Sequence, residues 1–392
     1  MGNRKTTQKP PEKQTEQIQH LITSTSFQKL KELPIPFCQS QCVPHKHEIL
    51  ICGGNEQRAC YSYHTLKNEY KFICEYPSDV ELKGHCVVKL EDNNNKDSNQ
   101  ITLLSIGGSR FRKRHTLMMK YVSVWSNISN KLKTYNQWVP FTDNRNYPII
   151  IGRKDDSYLG VRAVIGGSNN HLLFITYPSN NISVFDLNTF QFIQHHTLST
   201  DSDIRYHCFV LKSENGQRQE MMKTNKQNNQ MLLFCKNTGL SIEYDEDKNI
   251  FQCHQLPVCD DIASFNRYAY VCINDVILFF GGGNSRAISK LVHEYSIREN
   301  KWMTFQNTLP STLHDCVATL SEEDNHVYII GGQNDKNKEV STHMKTKVRV
   351  WDPSQLSQKE FKFVIQYWIR ISEIKFGWID DFDKIIIKYI EK

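Results

Sequence analysis

Short apolar runs that end in a pair of glycines recur along the chain. The clearest runs occupy residues 49–54, 103–108, 277–282 and 327–332. Each run has the pattern of a buried β-strand that is ended by glycine. Glycine permits positive φ and a close approach of the backbone at such a point. The pairs that mark the predicted strand ends are Gly53-Gly54, Gly107-Gly108, Gly281-Gly282 and Gly331-Gly332.

A second pattern consists of two aromatic residues seven positions apart, separated by turn-forming residues. It occurs as Tyr63/Tyr70, Phe185/Phe192, Tyr244/Phe251 and Tyr295/Trp302. The pattern predicts a hairpin, in which one strand ends, a turn follows and the next strand begins. Unrelated hairpins in a β-sandwich are the alternative, but sandwich strands need not repeat at this period.

Together the two patterns resemble the kelch repeat, in which Gly-Gly ends one strand, Tyr-Asp or a similar pair ends the next, and Trp begins another. Trp302 and Trp351 belong to this pattern, and the resemblance covers residues 27–353. It implies blades of four antiparallel strands, A to D, around a central axis. The sequence Val350-Trp351-Asp352 also suggests a WD-repeat propeller. We prefer kelch because the other blades lack that dipeptide.

We therefore predict an all-β, six-bladed kelch-type propeller over residues 23–360, after a disordered polar arm at 1–22. The second strands are predicted at 48–54, 100–107, 171–177, 230–236, 276–282 and 326–332. The third strands are predicted to end near His64, Trp125, Phe185, Tyr244, Tyr295 and Trp351. Blades three and four depart from the pattern, since Gly166-Gly167 falls on a first strand and Asn237-Thr238-Gly239 replaces a diglycine.

The two ends of the chain carry separate predictions. Residues 27–34 have the outline of a fourth strand with no blade before it, so we expect them to complete the last blade and close the ring. Closure would remove exposed sheet edges. Residues 361–392 are expected to add a strand and a short amphipathic helix. That helix either packs on the propeller or binds a partner.

Composition narrows the class of protein. The chain has 392 residues, 39% hydrophobic content and a net charge of +6, which favours a folded protein and does not indicate nucleic-acid binding. The twelve cysteines are scattered, mostly in apolar runs, as expected for reduced core cysteines of a cytoplasmic protein. No apolar stretch reaches transmembrane length, and no hydrophobic signal segment opens the chain.

Polar side chains that suit recognition of a partner follow the predicted second strands. In a propeller blade the B–C and D–A loops share one face, and guanidinium and amide groups there suit carboxylate or phosphate groups. For residues 110–115 a solvated run of charge is the alternative. The predicted binding residues are Arg58, Arg110, Arg112, Lys113, Arg114, Asn284, Arg286 and Gln333.

No catalytic or metal-binding motif is recognisable. Cys38/Cys42, and Cys253-His254 with Cys259 and Asp260, are the nearest zinc candidates, but zinc sites normally show tighter paired spacing. Galactose oxidase is the enzymatic precedent for such a propeller, but it is a secreted copper protein. We therefore expect no catalysis, no cofactor and no metal, and we expect His85, His207 and His314 to make strand or loop contacts.

The residues Met1-Gly2-Asn3-Arg4-Lys5-Thr6 match the N-myristoylation pattern at Gly2. A single acyl chain gives marginal membrane binding, which nearby basic residues would strengthen. The pattern predicts weak peripheral membrane association, with a chance match as the alternative.

The functional hypothesis is a monomeric cytoplasmic scaffold or adaptor that binds an acidic or phosphorylated peptide of a protein partner on its B–C/D–A face. A substrate receptor of a ubiquitin ligase is one alternative, although no BTB or F-box segment precedes the propeller. A propeller oxidoreductase or metal protein is the alternative from another class.

Overall fold

The computed structural model describes residues 26–90, 100–109, 112–126, 134–200, 202–212 and 229–351. The chain forms two compact units, residues 1–346 and 347–392. Of the second unit, the description covers a 3-10 helix (Val348–Val350) and the buried Trp351. The predicted polar arm and the predicted C-terminal strand and helix lie outside the described residues.

Six sheets of four antiparallel strands make up the first unit, as predicted. The strand β1 (Gln28–Lys29) precedes the first blade. Blade one contains β2 (Gln41–His45), β3 (Glu48–Gly54), β4 (Gln57–His64) and β5 (Glu69–Glu75). Blade two contains β6 (Cys86–Leu90), β7 (Gln100–Ser109), β8 (Arg112–Val122) and β9 (Val139–Pro140). Blade three contains β10 (Arg162–Gly166), β11 (Leu172–Tyr177), β12 (Asn181–Asp186) and β13 (Gln191–Thr197). Blade four contains β14 (Cys208–Leu211), β15 (Asn229–Cys235), β16 (Thr238–Asp245) and β17 (Ile250–Gln255). Blade five contains β18 (Ala269–Ile273), β19 (Val276–Phe280), β20 (Val292–Ser296) and β21 (Lys301–Thr304). Blade six contains β22 (Val317–Ser321), β23 (His326–Ile330) and β24 (His343–Lys347) together with β1. A short helix, α1 (Asp260–Ala263), connects blades four and five.

The second strands β3, β7, β11, β15, β19 and β23 each begin within one residue of the predicted start. Two third strands end earlier than predicted. The strand β8 ends at Val122, where the side chain of Asn136 bonds both backbone groups of that residue, and β24 ends at Lys347. The outer position beside β24 is taken by β1.

The N-terminal strand completes the last blade. It pairs antiparallel with β24, with Gln28 opposite Lys345 and Lys29 opposite Met344. The strand is shorter than the predicted 27–34, but further backbone bonds continue beyond it, such as Leu30 N–H to the His343 carbonyl at 2.9 Å. The first strands lie innermost, and β22 of the last blade contacts β2 of the first. The ring is therefore closed by residues from both ends of the unit.

The aromatic pairs seven residues apart form the hairpins between third and fourth strands. Both members of each pair lie directly opposite each other, with ring centroids 4.9 to 5.1 Å apart. In three blades the tyrosine hydroxyl also donates to an asparagine with positive φ in the turn, namely Asn68, Asn249 or Asn300. Blade three has Phe185 and Phe190 at these two positions. The hydroxyl and its amide acceptor are thus absent together.

The glycine pairs lie where a second strand passes the loop that leads into the next blade. Gly282 N–H donates to the Leu313 carbonyl at 2.8 Å, and Gly332 N–H donates to the Phe37 carbonyl at 2.7 Å. The backbone of Gly332 has a φ of 109°, and Cys316 Cβ would be 2.8 Å from any Cβ placed there. The glycines therefore join neighbouring blades at close range.

The apolar core lies between adjacent blades. Tyr76 from the loop after blade one stacks on Trp138 of blade two, with centroids 4.6 Å apart, beside the buried Cys60 and Met119. All twelve cysteines are free, and seven of them are buried, so most act as core residues.

Candidate functional site

The B–C and D–A loops lie at one end of the propeller. Isolated bridges pair Asn266 with Gly283 and His314 with Gln333, each joining a D–A loop to the start of a B–C loop. We call this end the B–C/D–A face. Any site built from these loops shares one surface.

Each D–A loop enters its first strand through one residue in the left-handed backbone conformation, with φ between 51° and 72°. Backbone hydrogen bonds of 2.8 to 3.2 Å run from one such residue to the next, from Gly160 to Gly84, Tyr206 to Gly160, Arg267 to Tyr206, Asp315 to Arg267 and Gln39 to Asp315. These five bonds link the six residues, one from each blade, in order around the axis. We call this set the axial ring: Gln39, Gly84, Gly160, Tyr206, Arg267 and Asp315.

The side chain of Tyr206 crosses the axial ring. Its hydroxyl donates to Gln39 Oε1 at 3.3 Å, which joins blade four to blade one on the opposite side. The two glycines of the ring make room for it, because a Cβ on Gly84 would lie 2.6 Å from Tyr206 Cε1. Tyr206 is 3% exposed, and its burial raises the pKa of the phenol to about 12. It therefore acts as a fixed neutral platform at the centre of the face.

One arginine contacts this tyrosine directly, and the charges of two others act on it. The Arg267 guanidinium lies over the ring, 4.9 Å from its centroid, and its Nη1 is 3.1 Å from Asp315 Oδ2. Arg205, next in sequence, pairs through Nη2 with Asp203 at 2.8 Å. Burial is the main cause that raises the pKa of the phenol, the Asp315 charge raises it further, and the positive charges of Arg267, Arg162 and Arg205 lower it.

Arg162 differs from the other two because it has no acidic partner. It is the first residue of β10 and half-buried, and Nη1 donates to the Val161 carbonyl at 2.8 Å. Among the described residues no carboxylate lies within ion-pair distance of it. Its charge contributes to lowering the pKa of His85 and His207, after the larger effect of burial. Within the described residues, Arg162 is therefore a half-buried positive charge without an acidic partner.

The sequence-predicted binding residues whose side chains the structure describes lie on the same face but belong to four different blades: Arg58, Lys113, Arg114, Asn284, Arg286 and Gln333. Arg58 pairs with Glu75 at 3.6 Å, Lys113 pairs with Asp79, and Arg114 donates to the Arg153 carbonyl. Arg110 and the side chain of Arg112 lie outside the described residues. Within the described ranges, no hydrogen bond or ion pair joins predicted binding residues of different blades.

Of the remaining predicted residues, Asn284 and Arg286 bond within one turn, whereas Gln333 contacts the loop that leads into blade one. Asn284 Oδ1 accepts from the Arg286 backbone N–H at 2.8 Å, and Gln333 Nε2 donates to Cys38 Sγ at 3.5 Å. The basic loop of blade two is also shorter than expected. Because Ser109 pairs with Arg112, β8 includes His115, which is buried and 3.1 Å from Ser105 Oγ.

The buried histidines contact strands and loops, as the sequence suggests. His85 Nε2 lies 2.9 Å from the Cys52 carbonyl, and His207 Nε2 lies 2.6 Å from Thr176 Oγ1, each across a blade junction. His314 Nδ1 is 3.1 Å from Asp315 Oδ2. Burial lowers the pKa of His85 to about 4, so it is neutral at pH 7.

Neither zinc candidate from the sequence forms a cluster in the structure. Cys38 Sγ instead donates to Glu339 Oε1 at 2.9 Å. Within the described part of the chain, one group of three metal-binding side chains has donor atoms close together: Cys259, Asp261 and His293. It shares only Cys259 with the predicted sets, because His293 comes from the next blade.

Sequence reasoning also missed the axial ring. Glycine occurs twice among its six members and the other four side chains all differ, so what the six share is a backbone conformation. The one usable signal was the position just before each first strand, where glycine occurs in blades two and three.

Comparison with known proteins shows the fold alone. The solved structure described as "Structure of YjhT" matches with a TM-score of 0.54 and 14% identity, over 82% of this chain and 97% of that chain. No family model and no curated protein matches the chain. A likeness of this kind establishes architecture and not activity. In the described part, no helix is long and apolar enough to cross a membrane.

Proposed function

We propose that the chain is a non-catalytic scaffold or adaptor that binds an acidic or phosphorylated peptide of a protein partner at the axial ring. The observation that carries this proposal is the Arg267 guanidinium stacked over the buried Tyr206, together with the charges of Arg205 and Arg162 that act on the same phenol; Arg162 has no carboxylate partner in the described ranges. The site lies on the face that the sequence favours, but its centre is the axis and not the B–C loops.

The geometry of Arg205 and Arg267 suits an incoming anion. Each side chain is half-exposed, and each is fixed by one carboxylate through one terminal nitrogen. A guanidinium has five N–H donors, so donors remain for a carboxylate or phosphate, with less rotamer entropy to lose. Such charge-assisted bonds are about twice as strong as neutral ones.

Membership of the kelch family, a cytoplasmic location and weak membrane attachment through Gly2 are parts of the same proposal. The glycine pairs and the aromatic hairpins support the first. Gly2 lies outside the described residues, so its acylation rests on the sequence pattern.

A peptide-binding assay tests the proposal directly. An array of peptides carries Glu, phosphoserine or Gln at the same central positions, and binding of selected peptides to the full chain is then measured by fluorescence anisotropy. Substituting Arg205→Gln should weaken binding of the acidic or phosphorylated peptides about tenfold or more, since a hydrogen bond to a charged group contributes about 1.5–3 kcal/mol. Arg162→Gln should act in the same direction, and Arg162→Lys should restore part of the affinity.

Arg298 is the matched control, because it also pairs with one carboxylate, Asp275 at 2.8 Å, but lies in a C–D turn on the opposite face. Arg298→Gln should leave binding unchanged. Equal binding of the Glu and Gln peptides, or equal losses in the Arg205 and Arg298 variants, would show that the axial ring does not recognise anions.

The basic residues of blade two have a different role in this proposal. They lie away from the ring and would steer an acidic partner, so reversing them should slow association and reduce its salt dependence while leaving dissociation nearly unchanged. If their reversal abolishes binding while Arg205→Gln does not, the docking site is the blade-two loop. The reversed residues are Arg112, Lys113 and Arg114.

A further inference from the structure

A cysteine, an aspartate and a histidine meet where the loop between blades four and five packs against blade five. Cys259 directly precedes α1 and Asp261 lies within it, while His293 is the second residue of β20. The sulfur, one carboxylate oxygen and one imidazole nitrogen all lie within 4.8 Å of one another. Packing of this loop on blade five brings His293 beside residues more than thirty positions earlier in the chain.

Thr304 lies between this histidine and Asp261. The Thr304 hydroxyl oxygen is 2.9 Å from His293 Nδ1, and the hydroxyl is 3.4 Å from Asp261 Oδ2, to which it can donate. This arrangement suits the tautomer in which Nδ1 carries the ring proton and donates to Thr304. In that tautomer the other nitrogen, Nε2, has a free lone pair.

Within the described part of the chain, Nε2 has no hydrogen-bond partner. His293 is fully buried, and its Nε2 makes no hydrogen bond. A buried polar atom without a partner costs about 1–3 kcal/mol. A metal ion is a partner that an unprotonated imidazole nitrogen accepts readily.

We propose that Cys259, Asp261 and His293 bind one borderline-soft divalent cation such as Zn²⁺, with a fourth position open to water or to a partner's side chain. Thiolate, imidazole and carboxylate are the three donor types that zinc uses, and three protein ligands with an open position is a known arrangement. Thr304 orients His293 in the way that outer groups orient metal-bound histidines. Binding converts the Cys259 thiol to a thiolate and releases its proton to solvent.

Modest movement completes the site. Donor atoms on a tetrahedral zinc ion lie about 3.3–3.7 Å apart, given bond lengths of about 2.0–2.3 Å. The ligands must therefore close in by about 1 Å. The four-residue α1 carries the exposed Asp261, so it is the element able to make that shift. The site is independent of the axial ring, and neither proposal rests on the other.

Cobalt substitution tests the site in the full chain. The protein is stripped of metal with a chelator and titrated with Co²⁺, and the thiolate-to-cobalt charge-transfer band is recorded before displacement by Zn²⁺. We expect one ion per chain and loss of the band in Cys259→Ser. The affinity for cobalt should be weaker by about 10–100-fold or more in Asp261→Asn and His293→Gln, because substitution of residues that only orient the metal ligands already has an effect of that size.

Neighbouring residues of the same types supply the controls. Cys253 and His254 are exposed on β17, and Cys253→Ser and His254→Gln should leave the cobalt band and the affinity unchanged. Should the buried His293 variant fail to fold, Asp261→Asn still decides the matter because Asp261 is exposed. A folded wild-type protein that gives no cobalt–thiolate band, or a band that survives in Cys259→Ser, would overturn the proposal.

Discussion

Replacing Gly332 with valine tests whether the glycine pairs set the junctions between blades. Gly332 ends the run 327–332 and lies beside the loop that joins the N-terminal strand to the first blade. Its N–H donates to the Phe37 carbonyl at 2.7 Å, and its own carbonyl accepts from Val340 at 3.0 Å. The backbone is thus held on both sides and has little room to relax.

The expected cost follows from two effects. The φ of 109° is a conformation that side chains with a Cβ rarely adopt, which costs about 1–2 kcal/mol. The new Cβ would also lie 2.8 Å from Cys316 Cβ and 2.9 Å from the His314 carbonyl oxygen, and such overpacking costs about 1–3 kcal/mol. Together these give about 2–5 kcal/mol, or a fall in melting temperature of about 4–10 °C at about 2 °C per kcal/mol.

Thermal unfolding followed by circular dichroism measures this fall. Gly283→Ala is the control, since Gly283 lies beside a glycine pair but outside the positive-φ region, and its Cβ would be 3.2 Å from the Ala287 oxygen. The control should cost less than about 1 kcal/mol. A Gly332→Val protein that melts with the wild type would refute the assignment of the diglycine as a structural requirement.

Three further outcomes are expected. Deleting residues 1–35 should cause aggregation and a lower melting temperature than deleting 1–20, because only the longer deletion removes β1 and its pairing with β24; equal melting temperatures would contradict closure by this strand. Gly2→Ala should move the protein from membrane to soluble fractions when it is co-expressed with a myristoyl-transferase, and a wild type that is wholly soluble would show a chance match. Burial lowers the folded-state pKa of His85 to about 4, so its contribution to stability is complete above pH 6.5 and is lost by about 1.4 kcal/mol per pH unit as pH falls towards 4. The free energy of unfolding, measured with urea at about pH 7 and about pH 5, should therefore fall less between the two pH values in His85→Gln than in the wild type. An equal fall in both proteins would contradict this expectation.

The sequence by itself determined the blades. The order of strands, the start of each second strand and the partners in the hairpins could be predicted because each depends on residues close together in the chain. Tyr244 and Phe251 face each other because a short turn leaves them no other register, and the apolar run before a glycine pair identifies a strand regardless of what surrounds it. The fourth strand at the N-terminus was recognisable for the same reason, although its pairing is shorter than expected.

Only the tertiary structure decided which side chains meet. The axial ring has no common residue type, since each blade contributes a backbone conformation, and a tyrosine, an arginine and two glycines all occur there. Arg162 was unremarkable in the sequence, and only the folded structure shows that its charge acts on Tyr206 and that it has no acidic partner in the described ranges. His293 reaches Cys259 only because the loop before blade five packs against that blade. Spacing along the chain specifies local geometry, whereas contacts between loops of different blades depend on how six sheets close around one axis.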